Sequence, residues 1–203
     1  IGPANGASST SAGPQVGFTT SGQLDGAVAN EEAFVISPNA RLYGNYAQHF
    51  LVSQFPAAYP RWYVEGFGQV FATVDADKEG MIEYGRHPEG YRAITDRFRR
   101  YPIAKILDGT YLGEAESRTR WTPASAWLLT HYLLFSERRG QLNAYLLAIK
   151  QGKSLAEAAG AFGDIAQLER DIAAYYSAKR FPYEQMTYPA ERISQPSLRS
   201  LTK

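Results

Sequence analysis

Two residues with metal-binding side chains lie on either side of a proline-rich bend. His49 and Glu65 are sixteen positions apart in the stretch GNYAQHFLVSQFPAAYPRWYVEG, residues 44–66. Histidine nitrogen and glutamate oxygen are both common zinc ligands in proteins. A zinc site is therefore the first hypothesis that this sequence raises.

The stretch before the bend resembles a known zinc-binding pattern. In HExxH, two histidines at i and i+4 project from one face of a helix, and the glutamate between them activates the metal-bound water. His49 stands where the second histidine would be, and Glu65 stands where a third ligand would come from the next helix. The pentapeptide that ends at His49, however, reads Asn-Tyr-Ala-Gln-His, residues 45–49.

The surrounding sequence is similar to the bacterial peptidase MA-like family, in the gluzincin group of zinc metallopeptidases. Its members resemble "HEyxHhl…P.WlxEGxAEyf", "sWxLvHyL" and "G.s..eAf..aFG….lE..l..Y". The matching stretches in this chain are QHFLVSQFPAAYPRWYVEGFGQVFAT (48–73), IEYGRHPEGYRA (82–93), TPASAWLLTHYLL (122–134) and YLLAIKQGKSLAEAAGAFGDIAQLERDIAAY (145–175). In all, the resemblance covers about residues 15–178.

The resemblance assigns a role to each position of the zinc motif. His49 and Glu65 occupy metal-ligand positions, whereas Asn45 replaces the first metal histidine and Tyr46 replaces the general-base glutamate. A neutral amide is a weak zinc ligand, and a phenol, with a usual pKa near 10, does not act as a base at neutral pH. Gln69 stands where many relatives carry a second acid. Two of the three ligands do not make a zinc site.

Two other histidines are candidates for the missing third ligand. His131 matches a family position in the WLLTHYLL helix, on the same face as Trp127 and Phe135; alternatively, it is a core histidine hydrogen-bonded to a neighbour. His87 lies in the loop GRHPEG, where we expect it to be solvated. For His49 and Glu65, the alternative to vestigial metal ligands is a buried pair that shares a hydrogen bond between packed helices.

These substitutions lead to three hypotheses of function. The first is a metallopeptidase-like domain that is catalytically inactive, a pseudopeptidase without bound zinc that binds a peptide or protein. The second is an active zinc metallopeptidase with an unusual ligand set that draws on His49, Glu65 and His131. The third is a helical interaction or spacer domain of a longer exported protein, because relatives often continue into C-terminal helical repeats.

The composition of the chain excludes some binding partners and some kinds of catalytic or metal site. The chain has 203 residues and a net charge of +1, which gives no support to nucleic acid as the main partner. It has no cysteine, which excludes disulfides, thiolate metal sites and a cysteine nucleophile. The longest apolar run, residues 124–135, is too short to span a membrane. Similar proteins commonly carry an export signal, so the resemblance implies the periplasm or cell envelope.

The chain that carries the candidate residues is predicted to be mainly α (α+β). The resemblance implies a gluzincin-like fold, in which short N-terminal strands or a hairpin precede a helical bundle. Residues 1–14, rich in Gly, Ser and Pro, predict a flexible segment. Residues 15–180 predict a single domain, with strands between 15 and 36. Residues 181–203 predict a polar C-terminal tail or linker.

Helix-capping residues, prolines and glycines predict where the helices of this domain begin and end. Ser37-Pro38 predicts a helix start, and Gly66 and Gly68 predict close helix packing, because each costs roughly 1 kcal/mol in a helix unless packing offsets it. The predicted elements are helices at about 38–54, 60–74 and 90–100, a strand at 81–85, a helix from Thr122-Pro123 to about Arg138 with Gly140 as its stop, a helix closed by Gly152, and two helices opened by the capping boxes Ser154/Glu157 and Asp164/Gln167.

Overall fold

The computed structural model describes residues 38–77, 79–88, 91, 101–115 and 121–188, all within residues 36–203, one of the two units into which the chain divides. In these ranges the chain is mainly helical with a small antiparallel sheet, as the sequence predicts. The helices are α1 Pro38–Gln54, α2 Arg61–Phe71, α3 Ile103–Leu107, α4 Pro123–Phe135, α5 Arg139–Lys150, α6 Leu155–Ala159 and α7 Ile165–Ser177, with short 3₁₀ turns at Thr110–Gly113 and Gly160–Phe162. The strands are β1 Asp75–Ala76, β2 Met81–Tyr84 and β3 Glu184–Thr187.

Two predicted elements fall largely outside these ranges. The N-terminal strands between residues 15 and 36 lie outside the described residues. So does the predicted helix at 90–100, apart from Tyr91, which is helical and buried. Both stay predictions.

Glycines allow α2 to lie close to α1 on one side and to α4 on the other. A Cβ atom added to Gly66 would lie 1.9 Å from Thr130 Oγ1 and 2.5 Å from the Ala126 carbonyl oxygen of α4. A Cβ atom added to Gly68 would lie 2.4 Å from Nε2 of Gln48 on α1. The predicted close packing at both glycines is therefore confirmed.

The core forms around α4, whose side chains are apolar on almost every face. Trp127, Leu129 and Leu133 are buried, as expected for a helix surrounded by protein. On α2, Trp62 is fully buried and donates a 3.3 Å hydrogen bond to the Tyr145 hydroxyl, which in turn donates to the Leu107 carbonyl at 2.8 Å. These bonds join α2, α5 and α3 inside the core. No helix in the described ranges is both long and apolar enough to cross a bilayer.

Most of the predicted helix starts are confirmed. The Thr122 side chain accepts a hydrogen bond from the Ser125 amide, with proline at the next position. Ser154 and Glu157 form a reciprocal capping box. Asp164 caps α7 through the Gln167 amide, but the box is not reciprocal, because the Gln167 side chain donates instead to Asp171 at 2.7 Å.

The predicted stop at Gly140 is wrong. Gly140 lies inside α5, and the break between α4 and α5 comes earlier, where Ser136 is extended. The Ser136 hydroxyl accepts the Arg138 amide and its carbonyl accepts the Arg139 amide, so these bonds turn the chain into the next helix. A turn at Ser136, and not Gly140, thus separates α4 from α5.

The sheet has the order β1-β2-β3 and includes two strands, β1 and β3, that the sequence did not predict. In the register, Glu83 pairs with Asp75 on one side and with Gln185 on the other. β3 lies in the segment predicted to be a tail. All four of its residues are exposed, so it lacks the apolar alternation by which strands are recognised.

We expect Gly66→Ala to destabilise the domain by about 1–3 kcal/mol, because the new methyl group overlaps Thr130 and the Ala126 carbonyl. The matched control is Gly140→Ala, also inside a helix but with nothing within 4 Å of the added Cβ. That variant should be neutral or more stable by up to about 1 kcal/mol. Urea unfolding measures both; equal effects would contradict the packing described for Gly66.

Candidate functional site

The three α1 residues at the ligand and base positions of the zinc motif, Asn45, Tyr46 and His49, are exposed. Gly44, Ala47 and Leu51 form the side of α1 that packs inward, and all three are buried. His49 lies outside this stripe, and its ring nitrogens are 3.4 Å from the Ser53 hydroxyl, one turn further along the helix. Tyr46 is 65% exposed, and Asn45 is exposed as well.

Glu65 is half-buried on α2, and both of its carboxylate oxygens are hydrogen-bonded. Arg61 Nε donates to Oε1 at 2.6 Å, and Trp121 Nε1 donates to Oε2 at 2.7 Å. The hydrogen bond to Glu65 and its negative charge raise the pKa of Arg61. The Trp121 ring also packs against Tyr111, with ring centroids 5.3 Å apart. Glu65 thus links the residue just before the Thr122 cap of α4 to the first turns of α2.

His131 is fully buried in the middle of α4, with both ring nitrogens hydrogen-bonded. Nε2 donates to the Gly85 carbonyl at 2.7 Å, and Nδ1 accepts from the Tyr175 hydroxyl at 2.9 Å. The ring stacks on Trp127 and Phe135, one turn before and one turn after it. Burial lowers the pKa of His131 to about 4, so the ring is neutral at pH 7. Its contacts are those of a hydrogen-bonded core histidine, the predicted alternative to a metal ligand.

The expectation that His87 is solvated is wrong. His87 is half-buried, stacks on Phe181 with centroids 4.9 Å apart and lies edge-on to Trp127 at the same distance. Phe181 holds it in place, since this residue from the predicted C-terminal tail packs against the core. Gln69, at the position of the family's second acid, accepts a hydrogen bond from the Tyr91 hydroxyl.

The candidate ligands do not fit a zinc ion in this arrangement. The hydrogen bonds of His49, Glu65 and His131 go to three sets of partners that have no residue in common. No three His, Asp or Glu side chains group together as a metal site within the ranges that the structure describes. The alternative of a buried hydrogen bond shared by His49 and Glu65 does not match these partners either, because His49 is exposed.

Comparisons of the chain with models of known protein families, with curated proteins and with solved structures find no match.

The described residues also form an exposed apolar surface on α1, which the sequence did not predict. Half of the twelve strongly exposed large hydrophobic side chains in the described ranges lie between positions 42 and 55. We define the α1 aromatic face as Leu42 (64% exposed), Tyr43 (41%), Tyr46 (65%), Phe50 (43%) and, just past the helix end, Phe55 (58%). The only charged residue between positions 38 and 55 is Arg41.

The rings of this face contact one another. The Tyr46 and Phe50 rings are stacked with centroids 6.4 Å apart, and Phe55 meets Phe50 edge-on at 5.9 Å. Leu42, Tyr46 and Phe50 are spaced four residues apart, so they form one row along the helix. This row is on the exposed side of α1.

A small apolar cavity lies among α3, α4 and α7. Its volume is about 20 Å³, which is room for about one water molecule. Ile103, Leu129 and Ile172 are among the residues that line it. It is too small to hold a substrate, so the α1 aromatic face is the better candidate for a functional surface.

We expect His131 to make folding stability depend on pH. Its pKa is about 4 when folded and near the ordinary 6.5 when unfolded, so between these values the unfolded chain binds more protons. The His131 contribution is fully present above pH 6.5 and is lost as the pH falls toward 4, by up to about 1.4 kcal/mol per pH unit.

Urea unfolding at several pH values measures this dependence. In His131→Phe, which keeps an aromatic ring at the position, stability should fall less steeply between pH 6.5 and 4. His49→Asn, at an exposed position, should retain the wild-type slope. Histidine NMR on the wild type at pH 7 should find His131 neutral with its proton on Nε2; a charged ring would contradict the hydrogen bonds described here.

Proposed function

We propose that this chain is a non-catalytic protein-binding domain on a metallopeptidase-like scaffold, a pseudopeptidase that contacts its partner through the α1 aromatic face. The observation that carries the proposal is the concentration of exposed, mutually contacting rings on α1. These rings lie on the helix whose zinc-motif positions hold Asn45 and Tyr46 in place of a histidine and a glutamate.

The residues at the catalytic positions support a non-catalytic role. Replacing a general base typically costs about 10²- to 10⁴-fold in rate, and Tyr46 stands in the place of that base. Glu65 would have to give up its bonds to both Arg61 and Trp121 before its two oxygens were free for a metal. The hydrogen bonds of Glu65 therefore stabilise the packing of α2 against the start of α4.

The exposed rings support protein binding. Contiguous apolar patches on soluble domains commonly mark interaction sites, and tyrosine is enriched among the residues that dominate interface energies. Tyr46 and Phe50 offer two large rings already in contact, so less side-chain freedom is lost on binding than for isolated chains. A helical spacer with no partner would have no use for such a surface.

Peptide binding tests the role of the face. Peptides selected from a displayed random library on the wild-type chain should lose at least tenfold in affinity for Tyr46→Lys, because a charge then sits in the centre of the apolar row. The matched control is Leu147→Lys on α5, where a leucine that is 53% exposed lies far along the chain from α1. Peptides that bind Tyr46→Lys as tightly as the wild type would contradict the proposal.

Elemental analysis and a peptide-cleavage assay test the absence of catalysis. Wild-type protein purified without chelator or added zinc should carry no stoichiometric zinc and should not cleave a mixed peptide substrate. One zinc per chain that is lost in Glu65→Ala, together with chelator-sensitive cleavage, would overturn the pseudopeptidase assignment.

A restored motif tests the metallopeptidase-like scaffold itself. The double variant Asn45→His/Tyr46→Glu rebuilds HExxH at exposed positions, so the fold should tolerate it. We expect it to bind zinc more tightly than the wild type does, because two histidines then lie at i and i+4 on the exposed side of α1, and Glu65→Ala in the same background should remove the gain only where Glu65 has left Arg61 and Trp121. No gain in zinc affinity would contradict the proposed ancestry of the scaffold.

A further inference from the structure

We propose that the partner of the α1 aromatic face is a second copy of this chain, with the two α1 helices packed antiparallel about a two-fold axis at Tyr46. This inference rests on the proposed function, since it names the occupant of the same face. Three features of α1 support the inference: Tyr46 lies at the centre of the helix, Arg41 is the only charged residue of the helix, and the helix has a large exposed apolar area.

The position of Tyr46 suits a two-fold axis. α1 runs from Pro38 to Gln54, so Tyr46 is its middle residue, with eight residues on either side. An antiparallel pair centred there overlaps over the full helix, which is about 25 Å long. Leu42 then lies opposite Phe50 of the partner subunit, and the two Tyr46 rings lie near the axis. The same surface serves both copies, as an isologous interface requires.

The charge of α1 favours such a pairing. Arg41 is its only charged residue, and in the centred antiparallel register it lies near the far end of the partner helix, away from the partner's Arg41. Two copies therefore meet without like charges opposed across the axis. An acidic or basic partner would find little on this face to pair with, whereas a second uncharged row of rings matches it in apolarity.

The exposed area of the face is sufficient for a dimer. Leu42 and Tyr46 are about two-thirds exposed, and Tyr43, Phe50 and Phe55 are 41–58% exposed. With roughly 200 Å² for a large side chain, the face offers on the order of 500–600 Å² per copy. Covering it on both copies removes roughly 1,000–1,200 Å² before any rim residue is counted, near the lower end of specific interfaces.

Light scattering on the full chain tests the proposal. The wild type should have twice the chain mass, 2 × 22.5 = 45.0 kDa, at micromolar and higher concentrations. Tyr46→Lys should have the mass of one chain, 22.5 kDa, with an unchanged urea unfolding midpoint when both are compared at low concentration. Leu147→Lys should remain a dimer.

Cysteine cross-linking tests the register, and the chain suits it because it contains no cysteine. Under mild oxidation Tyr46→Cys should form a covalent dimer, since the two-fold axis brings the two sulfurs together at helix-contact distance. Leu147→Cys, at a position that is also exposed but lies off the axis, should not cross-link at comparable concentration.

The possible outcomes separate this inference from the proposed function. A monomeric wild type, or a Tyr46→Lys variant that remains dimeric, overturns the self-association. A monomer that still binds peptides through Tyr46 overturns the self-association and leaves the protein-binding role intact. A dimer that carries zinc and cleaves peptides supports the self-association and overturns the pseudopeptidase assignment.

Discussion

Gly66 and Gly68 have no Cβ atom, and this lets α2 lie in close contact with a helix on each side. Thr130 of α4 occupies the space beside Gly66, and Gln48 of α1 occupies the space beside Gly68. The positions of both candidate regions depend on these two contacts. They determine which side of α1 is buried, and they bring the start of α4, where Trp121 bonds Glu65, next to α2.

The composition of α1 follows from the same close approach. The side that meets α2 carries a glycine and an alanine, Gly44 and Ala47, because larger side chains would hold the helices apart. Apart from Leu51, which is buried, the large apolar side chains of α1 are on the opposite side, where they are exposed. The row of rings at Leu42, Tyr46 and Phe50 and the glycine contacts are two consequences of one packing arrangement.

The sequence predicted the helices and their ends better than it predicted the contacts that these helices make. Thr122, Ser154 and the glycines of α2 act through contacts a few residues away or through helix packing, so the sequence reveals them. The buried side of α1 was missed because small residues give a weak hydrophobic signal. Trp121, which bonds Glu65, and the two partners of His131 lie 44 to 56 residues away in the chain, and only the assembled fold brings them together. β3 was missed because none of its side chains is buried.

The pairing of β2 with β3 joins positions that are separated by about half of the chain. Glu83 and Gln185 are 102 residues apart, yet their side chains are hydrogen-bonded across the sheet. During synthesis, β2 leaves the ribosome long before its partner exists. The edge of β2 that will pair with β3 stays unpaired while the helices between the two strands are synthesised. Until β3 is in place, this edge is able to pair with strands of other chains.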